Sequence, residues 1–164
     1  MLSIDDVLAY DPETGFLTWK VDRRSVRAGA RAGGVDLRRG EPRRRLAVNG
    51  KHEFEHRVAW YLMTGKWPKA VDHINGDATD NRWPNLRECT GSQNQANRKV
   101  SENSATGLKG VSWDGRTKKW KAAITKDDKF VWLGRFDCPA AAHFAYVVAA
   151  DKMFGEFACN GRRA

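Results

Sequence analysis

The chain has 164 residues, 29 Lys and Arg against 20 Asp and Glu for a formal +9 at pH 7, and 41% hydrophobic residues, enough to pack one medium domain or two small ones. No run approaches the roughly 18 apolar residues of a membrane span, and Met1 to Asp6 has neither the basic start nor the apolar core of a signal peptide. Three cysteines, Cys89, Cys138 and Cys159, with no Cys-x-x-Cys pair, argue against a disulfide framework and a thiolate zinc site, so a cytoplasmic location and inert thiols are expected. The basic balance points to a polyanion as partner, nucleic acid before any small molecule or membrane.

The charge is unevenly spread. Residues 23–45 hold nine arginines against Asp36 and Glu41, a local +7, and residues 105–164 carry eleven basic against six acidic residues, a further +5. The remainder is net −3. Glycines 29, 33, 34 and 40 break up the first block, which predicts loops or irregular strands rather than a helix. Arg38, Arg39, Arg43, Arg44 and Arg45 are candidate phosphate contacts, because the guanidinium fork matches phosphate and glycine lets backbone approach a ligand. A solvated surface is the plain alternative.

In chain order, a turn at Asp11 to Gly15 precedes a strand from Phe16. Leu46-Ala47-Val48 and Lys51 to Phe54 flank Asn49-Gly50 as a hairpin. Val58, Ala59, Tyr61 and Leu62 share one face of a helix over 55–64 that Gly65 and Pro68 stop. Val71-Asp72-His73-Ile74 ends a short strand, and Asn85 to Cys89 reads as the return strand across a polar loop. Neighbours on a strand point to opposite faces, so Asp72 and His73 need a bend to converge on one phosphate. Thr90 and Gln93 fit a capping box that starts a polar helix carrying Asn94, Asn97 and Arg98 on one face. A small polar linker at 101–106 separates domain 1–100 from domain 107–160. The second domain reads as three strands, about 108–113, 120–125 and 130–136, and a helix that starts near Asp137-Cys138-Pro139, with Pro in its first turn, and ends at Gly155, whose residues Ala142, Ala145, Ala149 and Met153 would face the sheet. Alternation turns Phe130 and Trp132 outward, beside Lys121, Ala123 and Thr125.

Hydrolysis of a phosphodiester needs a base for water and a cation for the phosphate and the departing 3′ oxygen. His73 titrates near neutrality and suits the base; Asp72 and Asn94 offer oxygen ligands that suit magnesium or manganese better than zinc. An Asp-His dipeptide alone is common, so spacing must discriminate.

His56-Arg57-Val58-Ala59-Trp60, Thr64-Gly65-Lys66-Trp67-Pro68, Asp72 to Asp77, Asp80-Asn81-Arg82, Asn85-Leu86-Arg87, Gln93-Asn94 and Asn97-Arg98 together resemble the phage-encoded HNH homing endonucleases over nearly all of residues 10–104. The resemblance implies a ββα-metal fold, with His73 as general base, Asn85 bracing the loop that aims it, and Asp72 with Asn94 holding one divalent ion. Arg57, Arg87, Arg98 and Lys99 are candidates for flanking phosphates, each equally readable as a structural or solvated charge. His52 and His143 have no visible partner and read as structural.

From Gly107 to about Asn160, Gly-Leu-Lys-Gly-Val-Ser-Trp, Trp120 to Ile124 and Val131 to Asp137 resemble the plant ethylene-response-factor (APETALA) type DNA-binding domain. That resemblance implies a three-stranded antiparallel sheet on one helix, laid in the major groove, with Lys109, Arg116, Lys121, Thr125 and Trp132 as contact candidates. Ser112, Asp114, Thr125 and Phe130 stand where that family offers arginines, so its usual GC-rich site is not expected.

The expected protein is therefore an α+β, two-module, sequence-guided DNA endonuclease acting on double-stranded DNA, nicking one strand per site to leave 5′ phosphate and 3′ hydroxyl, in a bacterial host cell if phage-encoded. A DNA-binding regulator or structural DNA-binding protein with an inactive nuclease module is the alternative.

Overall fold

The structure is a computed structural model that describes residues 2–38, 41–100 and 104–159. Arg39 and the first half of the expected linker lie outside the described residues. The fold is mixed α and β, with four small antiparallel sheets among the described residues. No described helix is long and apolar enough to cross a membrane.

Contacts divide the chain into two compact units, Met1–Cys89 and Thr90–Ala164. The division falls before the expected linker, so the helix after Thr90 groups with the second unit.

In the first unit a single helical turn, α1 (Ile4–Val7), is capped reciprocally by Ser3 and Asp6. It runs into the hairpin β1 (Leu8–Asp11) and β2 (Phe16–Trp19), paired Leu8 to Trp19 and Tyr10 to Leu17. The Arg-Gly segment then forms turns and short strands: β3 (Gly34–Asp36), β4 (Arg43–Val48) and β5 (Lys51–Phe54), with β4 central. Asn49 and Gly50, both at positive φ, turn β4 into β5. Alternation on β4 buries Arg44, Leu46 and Val48 together. Helix α2 (Glu55–Thr64) follows at once and closes on Gly65 in the left-handed region. The core joins Leu8, Leu17, Trp19, Leu46, Val48 and Val58 across these elements. Each such side chain contributes roughly 1.5–3 kcal/mol when fully buried. A smaller cluster of Ala59, Val71 and Leu86 fixes α2 against β6 (Val71–His73) and β7 (Leu86–Glu88), which pair antiparallel with Asp72 opposite Arg87.

The second unit opens with α3 (Gly91–Asn97), whose Thr90 and Gln93 make both bonds of the capping box. The helix ends at Asn97, and Arg98 is already extended, which corrects the expected face of Asn94, Asn97 and Arg98. Asn97 is buried. Strands β8 (Val111–Asp114), β9 (Lys119–Lys126) and β10 (Lys129–Phe136) form one sheet with β9 central, covered by α4 (Pro139–Phe154). The buried row on α4 is Ala142, Tyr146, Ala150 and Phe154, not the expected stripe of small residues. Gly110 is the reason: at φ +74 its missing side chain leaves the space that the Tyr146 ring fills. Ala122 and Ile124 face the helix, while Phe130, Trp132 and Thr125 face outward as alternation predicts.

Candidate active site

All three residues of β6 are buried, and the pleat sends Asp72 and His73 to opposite sides. Asp72 meets Arg87, its direct partner on β7: Nε and Nη2 donate to one carboxylate oxygen at 3.0 and 2.9 Å. The two side chains are 6% and 12% exposed, which makes this an internal ion pair. Arg87, expected beside a flanking phosphate, is here the countercharge of Asp72.

His73 turns toward the loop after β6. Its Nε2 lies 3.0 Å from Asn81 Oδ1. Asn81 Nδ2 donates to Glu55 Oε2 at 3.4 Å, and Arg44 Nε donates to the same oxygen at 2.7 Å. Glu55 is fully buried. Burial pushes its carboxyl above the ordinary range, opposed by the bond and charge of Arg44. A permanently charged guanidinium, itself almost enclosed, makes the ionised carboxylate the form without an uncompensated buried charge. Arg44, expected as a phosphate contact, is buried here in an ion pair with Glu55.

The loop carrying Asn81 is held from both ends. Asn85 accepts from Asn75 N–H at 2.9 Å and donates to the Asp80 carbonyl at 2.7 Å, while Ile74 N–H donates to the Asn85 carbonyl at 2.9 Å. Asp80 accepts from Arg82 Nη2 at 2.7 Å and from Asn75 Nδ2 at 2.8 Å. Tyr10 of β1 donates its hydroxyl to the Asn81 carbonyl at 2.7 Å, tying the loop to the first hairpin.

His56, in the first turn of α2, stacks on Phe54 and meets the edge of His73 with ring centroids 5.0 Å apart. Burial is the main force that lowers both imidazoles, His56 to about 3, with Asn81 and Asp72 partly restoring His73. Both rings are neutral at pH 7, and a neutral imidazole is the form that accepts a proton.

Asn94 lies half-buried on α3 in the second unit, its N–H on the Thr90 carbonyl. The other candidates divide by partner. Arg38 and Arg43 are exposed. Arg45 is half-buried, paired to Asp36 at 3.2 Å and lying over Phe54. Arg57 donates to the Pro68 carbonyl at 3.3 Å. Lys109, expected at a base, donates to the carbonyls of Ala96 and Arg98 and so anchors the end of α3. Arg98 and Arg116 are exposed, and Lys121 is half-buried. Trp132 is 45% exposed with Arg135 5.0 Å over its ring. His143 stacks on Tyr146 and bonds the Lys109 carbonyl, a structural role. Burial pushes the Cys89 thiol up to about 11, which keeps it protonated.

Glu55 is the residue that sequence reasoning passed over, having served only as a helix start. Its signal was in β4, where alternation places Arg44 on the inner face with Leu46 and Val48. An inward arginine requires a buried anion.

Residues 53–96 match the HNH endonuclease family. The chain is 32% identical over 76 residues to Protein 3.8 of Escherichia phage T7, covering 45% of this chain and 63% of that protein. It is 29% identical over 115 residues to an uncharacterized HNH endonuclease of Acanthamoeba polyphaga mimivirus, covering 69% of this chain and 59% of that protein. The chain thus spans somewhat under two thirds of the length of these curated relatives. No solved structure matches. The matched segment takes in Glu55, His73, Asn81 and Asn85, so these residues lie within the stretch that is similar to the HNH endonuclease family.

Proposed function

We propose that the chain is a metal-dependent DNA endonuclease that hydrolyses one phosphodiester per active site, with His73 as general base. The observation that carries this reading is a buried, neutral His73 at the end of β6, held by a loop that Asn85 braces on both sides. His73 takes a proton from water, the resulting hydroxide attacks phosphorus, and the 3′ oxygen leaves and is protonated by solvent. The products are a 5′ phosphate and a 3′ hydroxyl.

Among the described residues no three His, Cys, Asp or Glu side chains cluster, so a dedicated cage for zinc is not the expectation. The donors offered are the Asp72 carboxylate and, on the spacing of the sequence motif, Asn94. Few hard oxygens, completed by water and the substrate phosphate, suit magnesium or manganese. When bound, such a cation supplies charge neutralisation at the phosphate and the departing oxygen.

Duplex DNA is the proposed partner. Exposed Arg38 and Arg43 in the first unit, and the outer sheet face with Lys121, Thr125, Phe130, Trp132 and Arg135 in the second, supply charge and an aromatic contact. An exposed Trp beside Arg is costly as plain surface and useful against nucleic acid. A single site nicks, and a double-strand break needs a dimer or a second event. The resemblance of residues 10–104 to the phage-encoded homing endonucleases implies a role in spreading the gene into uncut alleles.

One observation favours the second reading, a DNA-binding regulator with an inactive nuclease module: one oxygen of the Asp72 carboxylate already accepts both hydrogen bonds from Arg87. Supercoiled plasmid incubated with protein and magnesium or manganese separates the two. Nicking is expected; binding without nicking in either ion overturns the enzyme reading. His73→Ala is expected to cut about 10²–10⁴-fold more slowly while a gel-shift affinity stays nearly constant, because a base acts on the transition state and not on the complex.

A further inference from the structure

We propose that the buried carboxylate of Glu55 selects which ring nitrogen of His73 carries the proton, acting through the side-chain amide of Asn81. This rests on the reading of His73 as the base and deepens it: Glu55 and Asn81 become positioning residues.

The argument is one of donors and acceptors. Ionised Glu55 only accepts hydrogen bonds, so it draws the amide NH2 of Asn81 toward Oε2. That orientation turns Asn81 Oδ1 toward His73 Nε2, at 3.0 Å. An amide oxygen also only accepts, so Nε2 must carry the proton. A neutral imidazole has one ring proton, and the lone pair is then on Nδ1. The opposite flip of Asn81 would set its oxygen against the Glu55 carboxylate, inside a pocket where Asn81 is 2% exposed and water cannot screen the clash. Arg44 holds Glu55 in place at 2.7 Å. At Gly33, φ +77, any added Cβ would strike the other Glu55 oxygen, Oε1, so the glycine leaves room for the carboxylate. The chain Arg44, Glu55, Asn81, His73 therefore runs from β4 through the start of α2 and the loop to the end of β6, with each link oriented by the one before. A base whose lone pair is on the wrong nitrogen is aimed away from its water, so the charge on Glu55 matters to the reaction without touching substrate.

The test is the tautomer itself. Full-length protein labelled with ¹⁵N is examined at neutral pH through the ring nitrogens of its histidines, with His73 assigned by loss of signal in His73→Gln. The wild type is expected to show a protonated Nε2 and a pyridine-like Nδ1. In Glu55→Gln the neutral amide can present either face to Asn81, so the Nδ1–H form appears, and kcat for nicking falls about 10- to 100-fold with KM little changed. Pairing Glu55→Gln with Asn81→Asp restores an obligate acceptor beside Nε2 and is expected to recover both the wild-type tautomer and most of the lost kcat. An Nδ1–H tautomer in the wild type overturns the proposal. So does a Glu55→Gln protein with wild-type ring signals and kcat, or a double variant that remains Nδ1–H. If Glu55→Gln alone does not fold, the wild-type and double-variant spectra decide. A wild type that never nicks, yet whose tautomer responds to Glu55→Gln, supports this proposal while overturning the nuclease reading.

Discussion

His56 and His73 meet edge to face, and burial holds His56 at about 3 while lowering His73 as well. In the unfolded chain both return to about 6.5. Between these values the unfolded chain binds protons that the folded chain refuses, so stability is full above pH 6.5 and falls as the pH drops below it. For His56 the loss is about 2 kcal/mol at pH 5. A chain of this size should then lose about 4–8 °C in Tm between pH 7 and pH 5. Scanning calorimetry across that range checks it, and His56→Phe, which keeps a ring between Phe54 and His73, should flatten part of the decline. A flat profile in the wild type would mean that His56 is hydrated and titrates normally.

The elements were readable where their chemistry is local. The capping box of α3, the Asn49-Gly50 hairpin and the Gly65 stop of α2 each depend on residues within a few positions of one another. The buried face of α4 was not readable in this way. Tyr146 outranks Ala145 and Ala149 as a core residue because Gly110, in the turn before β8, leaves a space for its ring. Gly110→Ala should therefore cost about 1–3 kcal/mol from overpacking against Tyr146, with roughly 1–2 kcal/mol more from the left-handed backbone. A lowered urea midpoint with unchanged slope is the expected signature. An unchanged midpoint would show that Tyr146 can move aside without loss.

For the whole molecule, the net +9 resolves into an Arg-Gly block in the first unit and a second basic block toward the C-terminus, with the HNH match between them. The unit boundary at Cys89 changes what a truncation should do. Removing residues 105–164 takes away Lys109, which holds the Ala96 and Arg98 carbonyls, the Asp127 N–H on Ser92 Oγ, and the Cys159 N–H on the Ala96 carbonyl. Helix α3 has only seven residues and does not persist alone. The truncated chain should lose DNA affinity and, if Asn94 serves the reaction, also cleave at least about 10²-fold more slowly. Gel shift and plasmid nicking measure the two losses separately. Full-rate nicking by the truncated chain would show that α3 stands without those bonds or is not needed.

By itself the sequence determined the Asn49-Gly50 hairpin, α2 and its Gly65 stop, the capping box of α3, the strands and helix of the second unit, the charge blocks, and an Asp72, His73 and Asn85 spacing that resembles the HNH family, because each is written in periodicity, turn chemistry or a contiguous motif. Only the tertiary structure decided what those side chains do. It placed Arg44 in the core with Glu55, gave Arg87 to Asp72, spent Lys109 on the end of α3, and joined Glu55 to His73 through Asn81. The physical reason is desolvation. A charged residue taken out of water must find its countercharge or its hydrogen bond wherever packing delivers one, and for Glu55 that partner, Asn81, stands 26 positions away along the chain.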